Sequence, residues 1–458
     1  MKRMAIVLIA IILALSMLLL TACNNVLKPD ETKTETNHLQ SSQTSDSEQT
    51  GNDMNHEKPK YLANTLYKIQ SEKKLTVGFF GGSVTVGTGS TDKERNSWRA
   101  LTREWFKAAF NHVEIAEVNA AIGNTGSVFG VYRIDEQYIG KQAPDLNFIE
   151  MAINDSIDFL NGSRVYDTDE NYIYIETIIR KIYASNPNAD IVFVLTGNYE
   201  RLKNESEGGE LFGCKYINIG EYYDIPVIRV GTALADKIKQ ENGGIFPEKE
   251  NNQYPELWYK YFKDNVHPSD VGHYVYSKTV IDFLKSLLTS GYKSSDATEK
   301  ILPEKTYCES NGYGNLMMDA CMISPNQFSG SRDLGGYMIA SNGDNALIPY
   351  MLVSEADGDE IVLTFNTSTF AIWTLAPKTE DKTTIICSID GGSEKSFEIF
   401  YNSSSKNNKV FMLAENLSAG IHTIRIKHDG TNRLEIRYFL LSGCFGSSPA
   451  LNVAPLQK

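Results

Sequence analysis

Between residues 75 and 230 the chain alternates two hydrophobic rhythms. Short apolar runs at Leu75–Phe80, Val113–Ala120, Leu146–Ala152, Ile191–Thr196 and Val227–Val230 have the length and composition of strands. Among them, Trp98, Leu101, Trp105, Phe106 and Ala109 recur at three- and four-residue spacing, and so do Ile175, Ile178, Ile179 and Ile182. An amphipathic helix facing a core requires that spacing. Strands and helices in alternation predict a parallel sheet covered by crossover helices. A last helix is expected from about Pro268 to Leu288, because proline and acidic residues in Pro268-Ser269-Asp270 suit a helix start.

Past Gly291 the rhythm changes. Gly, Ser, Asp and Lys lead to Pro303, helical spacing does not return, and the remainder reads as strands. These are Ile361–Phe365, Ile372–Thr374, Thr384–Ile389, Phe397–Tyr401, Val410–Leu413, His422–Ile426 and Leu434–Leu440. Turn signals at Asp390-Gly391-Gly392, Asn402-Ser403-Ser404 and Asp429-Gly430-Thr431 separate several of them, at the spacing of a sandwich or jelly roll. The chain therefore divides into an α/β domain over 61–292 and an all-β sandwich over 303–446. No internal repeat is evident.

Ahead of both domains, residues 24–60 are rich in Ser, Thr, Gln, Asn, Asp and Glu and nearly devoid of large apolar side chains. Such a segment cannot bury enough surface to offset the entropy of ordering. Residues 23–60 read as a flexible tether with a reach on the order of 30 Å. Before the tether stand Lys2 and Arg3, an apolar run from Ala5 to Leu20, and Leu20-Thr21-Ala22-Cys23. A charged start, an apolar stretch and small residues before a cysteine resemble a bacterial lipoprotein signal. That resemblance implies removal of residues 1–22, a diacylglyceryl chain on Cys23, and a membrane anchored, extracytoplasmic protein. An uncleaved membrane helix is the alternative; the run is short for the roughly 20 residues a span needs.

Composition adds mainly exclusions. A net charge of −13, without a Lys/Arg stripe interleaved with aromatics, weighs against a nucleic-acid partner. Cys23 apart, Cys214, Cys308, Cys321, Cys387 and Cys444 form no Cys-x-x-Cys pair and have no His in ligand spacing. No metal and no other cofactor is expected. Cys308 and Cys321 are close enough in sequence for a bridge across a loop, and buried thiols packing as small hydrophobes are the other reading.

Chemistry gathers at the ends of the strand-like runs. Ser83 follows the first run through Gly81-Gly82, whose lack of side chains permits a sharp turn. Ala121-Ile122-Gly123-Asn124-Thr125-Gly126 and Glu150-Met151-Ala152-Ile153-Asn154-Asp155-Ser156 follow two more, and Asp264-Asn265-Val266-His267-Pro268 precedes the last helix. A serine hydroxyl becomes a strong nucleophile when an imidazole takes its proton, and a carboxylate can fix the tautomer of that imidazole. Ser83, His267 and Asp264 supply the three groups.

The order Ser, Gly, Asn, Asp-x-x-His resembles the SGNH-hydrolase, or GDSL-like esterase, superfamily. The resemblance implies a three-layer, flavodoxin-like α/β sheet with helices on both faces and a site beyond the carboxyl ends of the strands. It also implies Ser83 as nucleophile, His267 as general base, Asp264 as its partner, and an oxyanion hole built from Ser83, Gly123 and Asn154. Two registers stay open at the glycine, since Gly126 competes with Gly123, and an Asx cap competes for Asn154 unless Asp155 serves there. The nucleophile block reads Gly-Gly-Ser-Val-Thr, lacking the acidic residue of Gly-Asp-Ser-Leu. His273 falls within the expected helix and is read as packing, outside the triad.

Trp258-Tyr259-Lys260-Tyr261-Phe262 is dense in aromatics beside the histidine loop, and Tyr199 borders the same cleft. Two readings of Trp258 and Tyr199 stand: rings that stack on pyranose faces of a substrate, or core aromatics. The β-sandwich resembles a carbohydrate-binding jelly roll. Together these resemblances imply an extracytoplasmic serine esterase removing small acyl groups, acetyl foremost, from carbohydrate. The alternatives are an O-acyltransferase acting on a surface polysaccharide and a non-catalytic surface-binding lipoprotein. Every catalytic candidate precedes Gly291, so a sandwich serving only glycan affinity leaves a chain ending near Ser290 active on a small ester.

Overall fold

The computed structural model describes residues 61–458 apart from 141, 156–167, 210, 289–293, 329–333, 344, 403–404, 419, 444–451 and 454–458. The expected leader over 1–22, the tether over 23–60 and the anchoring Cys23 lie outside the described residues. Five strands, β1 (Lys74–Gly81), β2 (Glu114–Asn119), β3 (Leu146–Glu150), β4 (Asp190–Val194) and β5 (Val227–Ile228), pair in the order β2-β1-β3-β4-β5. All four pairings are parallel. This doubly wound order reverses beside β1, and in such sheets ligands bind at that switch point.

Successive residues of a strand face opposite sides of the sheet, and the core divides accordingly. Phe79, Phe148 and Val192 pack on one side with Trp98, Phe106, Leu234 and Val280. Phe80, Ile149 and Phe193 pack on the other with Ile175, Ile178, Ile182 and Ile219. Helices Trp98–Ala109, Val230–Glu241 and Asp270–Leu288 therefore cover the first face, and Glu170–Ser185 and Cys214–Tyr223 the second. The three-layer α/β architecture is the one expected. The last helix runs from Asp270; just before it, Pro268 pairs with Phe262 in a β-bridge and the Ser269 amide donates to the Tyr261 carbonyl (2.8 Å). Helix Ser127–Ile134 has no exposed stripe: seven of its eight residues are buried, so helical spacing never shows in its sequence.

The remainder is antiparallel. Strands β6 (Cys321–Ile323), β7 (Met338–Ser341), β8 (Tyr350–Ser354), β10 (Thr369–Ala376), β13 (Asn407–Ala414) and β15 (Leu434–Ser442) form one sheet, in the order β13-β10-β15-β8-β7 with β6 also on β15. Strands β9 (Glu360–Asn366), β11 (Thr383–Ile389), β12 (Lys395–Ile399), β14 (Ile421–His428) and β16 (Asn452–Val453) form the other, ordered β12-β11-β14-β9-β16. Phe370, Ile372, Phe439 and Leu441 of the first sheet meet Leu363, Phe365, Ile424 and Ile426 of the second, which makes a β-sandwich.

The two sheets differ in burial pattern. Strands β9 and β14 alternate between buried and more exposed positions, whereas β10 and β15 are buried at nearly every position. Strands covered on both faces lose the alternation. The cover is the α/β domain: Ala371, Trp373, Tyr438 and Leu440 pack against Ile122, Phe129, Val131 and Tyr132 in one apolar cluster. Phe129 meets Trp373 edge to face at 5.3 Å. The described residues, from Tyr61 onward, belong to one compact unit. Cys308 carries a buried free thiol and makes no bridge to Cys321; its amide donates to the Glu176 carboxylate (2.8 Å).

Candidate active site

Ser83 opens a one-turn helix, Ser83–Val86, directly after β1. The two glycines before it are required for space, not for a left-handed backbone, since Gly82 has φ −94°. A Cβ on Gly82 would lie 2.0 Å from Asn154 Nδ2, and one on Gly81 would lie 2.6 Å from the Glu150 carbonyl oxygen. An acidic residue in place of Gly82 would require the Asn154 side chain to shift.

His267 and Asp264 reach Ser83 from a turn closed by the Lys263 amide donating to the His267 carbonyl (2.8 Å). One Asp264 oxygen accepts the amides of Val266 and His267, both at 2.8 Å, and the other meets His267 Nδ1 at 2.7 Å. With the proton on Nδ1, His267 Nε2 is free to accept from Ser83 Oγ, 2.8 Å away. Partial burial pushes the Asp264 carboxyl up, but the bonds from the ring and the two amides outweigh it and hold the group below its usual range. The carboxylate is thus charged, anchored and aimed. Asp264→Asn is expected to lower turnover of an activated acetyl ester by about 10²-fold or more, because an amide facing Nδ1 favours the wrong tautomer. Steady-state kinetics with an unchanged melting curve is the check.

The oxyanion candidates lie beside the Ser83 turn. Gly123 lies against Ser83, whose Cβ would be 3.7 Å from a Cβ added to the glycine. Asn154 sits beside Gly82, and its Nδ2 donates to the Thr125 carbonyl (3.2 Å). Gly126 is occupied differently: a Cβ there would lie 2.2 Å from Asp155 Oδ1. Of the two glycines, Gly123 is thus the one beside Ser83. Asp155 is support, accepting from the Ser127 amide (2.7 Å) and the Tyr216 hydroxyl (2.6 Å). Burial pushes its carboxyl up to about 6. His273 is buried and bonds neither Ser83 nor Asp264, accepting from the Trp98 amide (3.3 Å) and donating to the Thr88 carbonyl (3.2 Å). Burial pushes its imidazole down to about 4, so it stays neutral near neutral pH and fastens the loop after Ser83.

Trp258 and Tyr199 are not a sugar platform. Their exposures are 0% and 1%, and their rings pack against each other at 5.0 Å. They hold the histidine turn from beneath: Trp258 Nε1 donates to the Asp264 carbonyl (2.8 Å), and the Tyr199 amide donates to the Asn265 carbonyl (3.1 Å). Of that segment, Tyr259 is the ring that faces solvent.

Three supports escape a sequence reading. Glu150, fully buried at the end of β3, accepts from Thr85 Oγ1 (2.8 Å) and Thr196 Oγ1 (2.9 Å), and burial pushes its carboxyl up to about 7. It joins the Ser83 turn to the ends of β3 and β4. Arg133, also fully buried, donates to the carbonyls of Ala120 (2.6 Å) and Gly81 (3.3 Å) and to Thr125 Oγ1 (3.2 Å), with its guanidinium 4.1 Å from the Phe80 ring centre. It ties the Ser83 turn to the Gly123 turn. The third support is Asn408 of β13, whose Nδ2 donates to the Gly123 carbonyl across the domain boundary (2.8 Å). A separate, small cavity of about 40 Å³ is lined by Ala152, Asp155, Arg201, Phe212 and Lys215 among others. Ser83, Gly123 and His267 do not line it, so it is not where an acyl group would react. Among the described residues no cluster of three or more His, Cys, Asp or Glu side chains could hold a metal ion.

The fold and the matching sequence family define a carboxylic ester hydrolase. Residues 79–275 match the GDSL-like Lipase/Acylhydrolase family, so the chain carries a domain of that family followed by a β-sandwich. Its architecture is similar to two solved structures of a two-domain esterase (CEX) described as active on acetylated mannans. The one co-crystallized with mannopentaose superposes with a TM-score of 0.64 at 18% identity, covering 85% of this chain and 96% of that one. The other gives 0.63 at 18% identity, over 83% and 95%. At this identity the likeness establishes the shared two-domain fold. No curated protein matches the sequence.

Proposed function

We propose that the protein is a serine esterase that removes acetyl groups from carbohydrate outside the cytoplasm, held to a membrane through lipid on Cys23. The observation that carries the catalytic part is the hydrogen-bonded series from Ser83 Oγ through His267 to Asp264, at 2.8 and 2.7 Å, with Gly123 and Asn154 beside it. Ser83 Oγ attacks the acetyl carbonyl carbon while His267 Nε2 takes its proton. The oxyanion forms toward the backbone N–H groups of Ser83 and Gly123 and the Asn154 amide. Collapse expels the sugar alkoxide, which takes the proton from His267, and leaves an acetyl-serine. Water, deprotonated by the same imidazole, releases acetate and restores Ser83.

The carbohydrate part rests on the acetylated mannans named for the structural neighbour and on the shared two-domain architecture. Acetylated oligosaccharides, set against simple esters of increasing acyl length, provide the test. Acetate release from the glycans with a steep fall from acetyl to butyryl supports the proposal, and a preference for long acyl chains on simple esters sinks its substrate class. The location rests on Lys2, Arg3, the run from Ala5 to Leu20 and Cys23. Cys23→Ser is expected to abolish lipid attachment and release the protein from membrane fractions after processing. Membrane retention without lipid on Cys23 would mean an uncleaved anchor.

A further inference from the structure

We infer that Asn408 of the β-sandwich is a positioning residue for ester hydrolysis: by holding the Gly123–Asn124 peptide while Thr125 holds the Ile122–Gly123 peptide, it fixes the Gly123 dihedrals and so the direction of the Gly123 N–H beside Ser83. The inference rests on the esterase reading above and extends it to a residue outside the matched family domain. The oxyanion turn is gripped from two sides. From within the α/β domain, the Ile122 amide donates to the Gly81 carbonyl (3.0 Å) and Thr125 Oγ1 donates to the Ile122 carbonyl (2.8 Å). From the sandwich, Asn408 Nδ2 donates to the Gly123 carbonyl (2.8 Å), Asn124 Nδ2 donates to the Asn408 carbonyl (2.7 Å), and the Tyr401 hydroxyl donates to Asn124 Oδ1 (3.0 Å).

The turn needs this second grip. A glycine is the least constrained residue of a backbone, so nothing in Gly123 itself fixes the direction of its N–H. Asn124, next to it, has φ +56°, in the left-handed region that costs most residues energy and that asparagine tolerates best. A conformation of this kind persists when its surroundings over-determine it. The three bonds from the sandwich do that.

Asn408 is itself fixed. Its Oδ1 accepts from Trp373 Nε1 (2.9 Å) and from the Arg437 guanidinium. Both partners are obligate donors, so the amide cannot turn over, and Nδ2 must point at Gly123. Trp373 is fully buried in the apolar cluster that also contains Ile122, the residue before Gly123. A rigid path of contacts thus runs from the inter-domain core through Trp373 and Asn408 to the oxyanion turn.

Asn408→Asp in the full chain isolates the effect. The carboxylate still accepts from Trp373 and Arg437 but offers no hydrogen to the Gly123 carbonyl. Removing an oxyanion donor outright costs about 10²–10³ in kcat, so misaiming one is expected to lower kcat on a small acetyl ester by about tenfold or more, with KM nearly unchanged. Inhibition by a boronic acid, which Ser83 converts into a tetrahedral adduct, should weaken in parallel with kcat. A merely structural role moves the melting temperature and leaves both readouts alone. A folded Asn408→Asp protein with kcat and boronate affinity within about twofold of wild type would overturn the inference. Should that variant lose its cooperative melt, Tyr401→Phe decides on the same two readouts, since it removes only the hydroxyl bonded to Asn124 Oδ1. Wild-type protein that hydrolyses no ester would instead overturn the esterase reading, and that arm is scored separately.

Discussion

Replacing Ser83 with alanine is expected to lower turnover of an activated acetyl ester by on the order of 10⁴-fold or more, without unfolding the protein. The size follows from the proposed cooperativity: Ser83 Oγ and His267 Nε2 stand 2.8 Å apart, placed to be the two ends of one proton transfer. The remaining oxyanion donors can still polarise a carbonyl for attack by water, which leaves a small residual rate. Stability should change little, because the hydroxyl's bond to His267 is worth about 1 kcal/mol and alanine fits where serine did. His267→Ala should be equally damaging. Kinetics on the purified variant, with circular dichroism as the fold check, decides the matter. Activity within tenfold of wild type would remove Ser83 from the mechanism.

Deleting the β-sandwich is expected to cost the second largest share of activity, even on a small soluble ester. A chain ending near Ser290 would expose Ile122, Phe129, Val131 and Tyr132, which now lie at 8% exposure or less in a cluster shared with Trp373 and Leu440. It would also strip Asn408 and Tyr401 from the oxyanion turn. The truncated chain should aggregate, or fold with turnover of a small ester reduced by about 10²-fold, the scale of a lost oxyanion donor. The independence of the sandwich that the sequence suggests does not survive these contacts. A truncated chain that melts cooperatively and keeps its wild-type rate would restore that independence and remove the sandwich from the reaction.

The groups proposed to react are legible in the sequence because each sits at a strand end or in a short turn. Gly81-Gly82-Ser83 and Asp264-x-x-His267 are local patterns, and the Asp264 carboxylate reaches the histidine's own amide within three residues. The fold is legible for a similar reason, since Phe79 and Phe80 or Ile191 and Val192 form runs that only a sheet covered on both sides can bury. Trp258 is not legible, as aromatics beside a reactive loop suit a sugar platform and a core equally well, and only its burial separates the two. Asn408 is still less so. It acts on a residue 285 positions away, through a single amide that no local pattern marks. One signal did exist: Phe370–Trp373 and Tyr438–Leu441 are unbroken apolar runs, as strands covered on both faces allow.

The most direct test of the central claim is to treat the full chain with a fluorophosphonate and locate the adduct by peptide mass spectrometry. The serine oxygen displaces fluoride from phosphorus, so the label marks the nucleophile that His267 activates. The account predicts one phosphonylated residue, Ser83, with loss of esterase activity in proportion to labelling and little labelling in His267→Ala. An active protein that takes the label elsewhere, or loses no activity when Ser83 is fully modified, would contradict it.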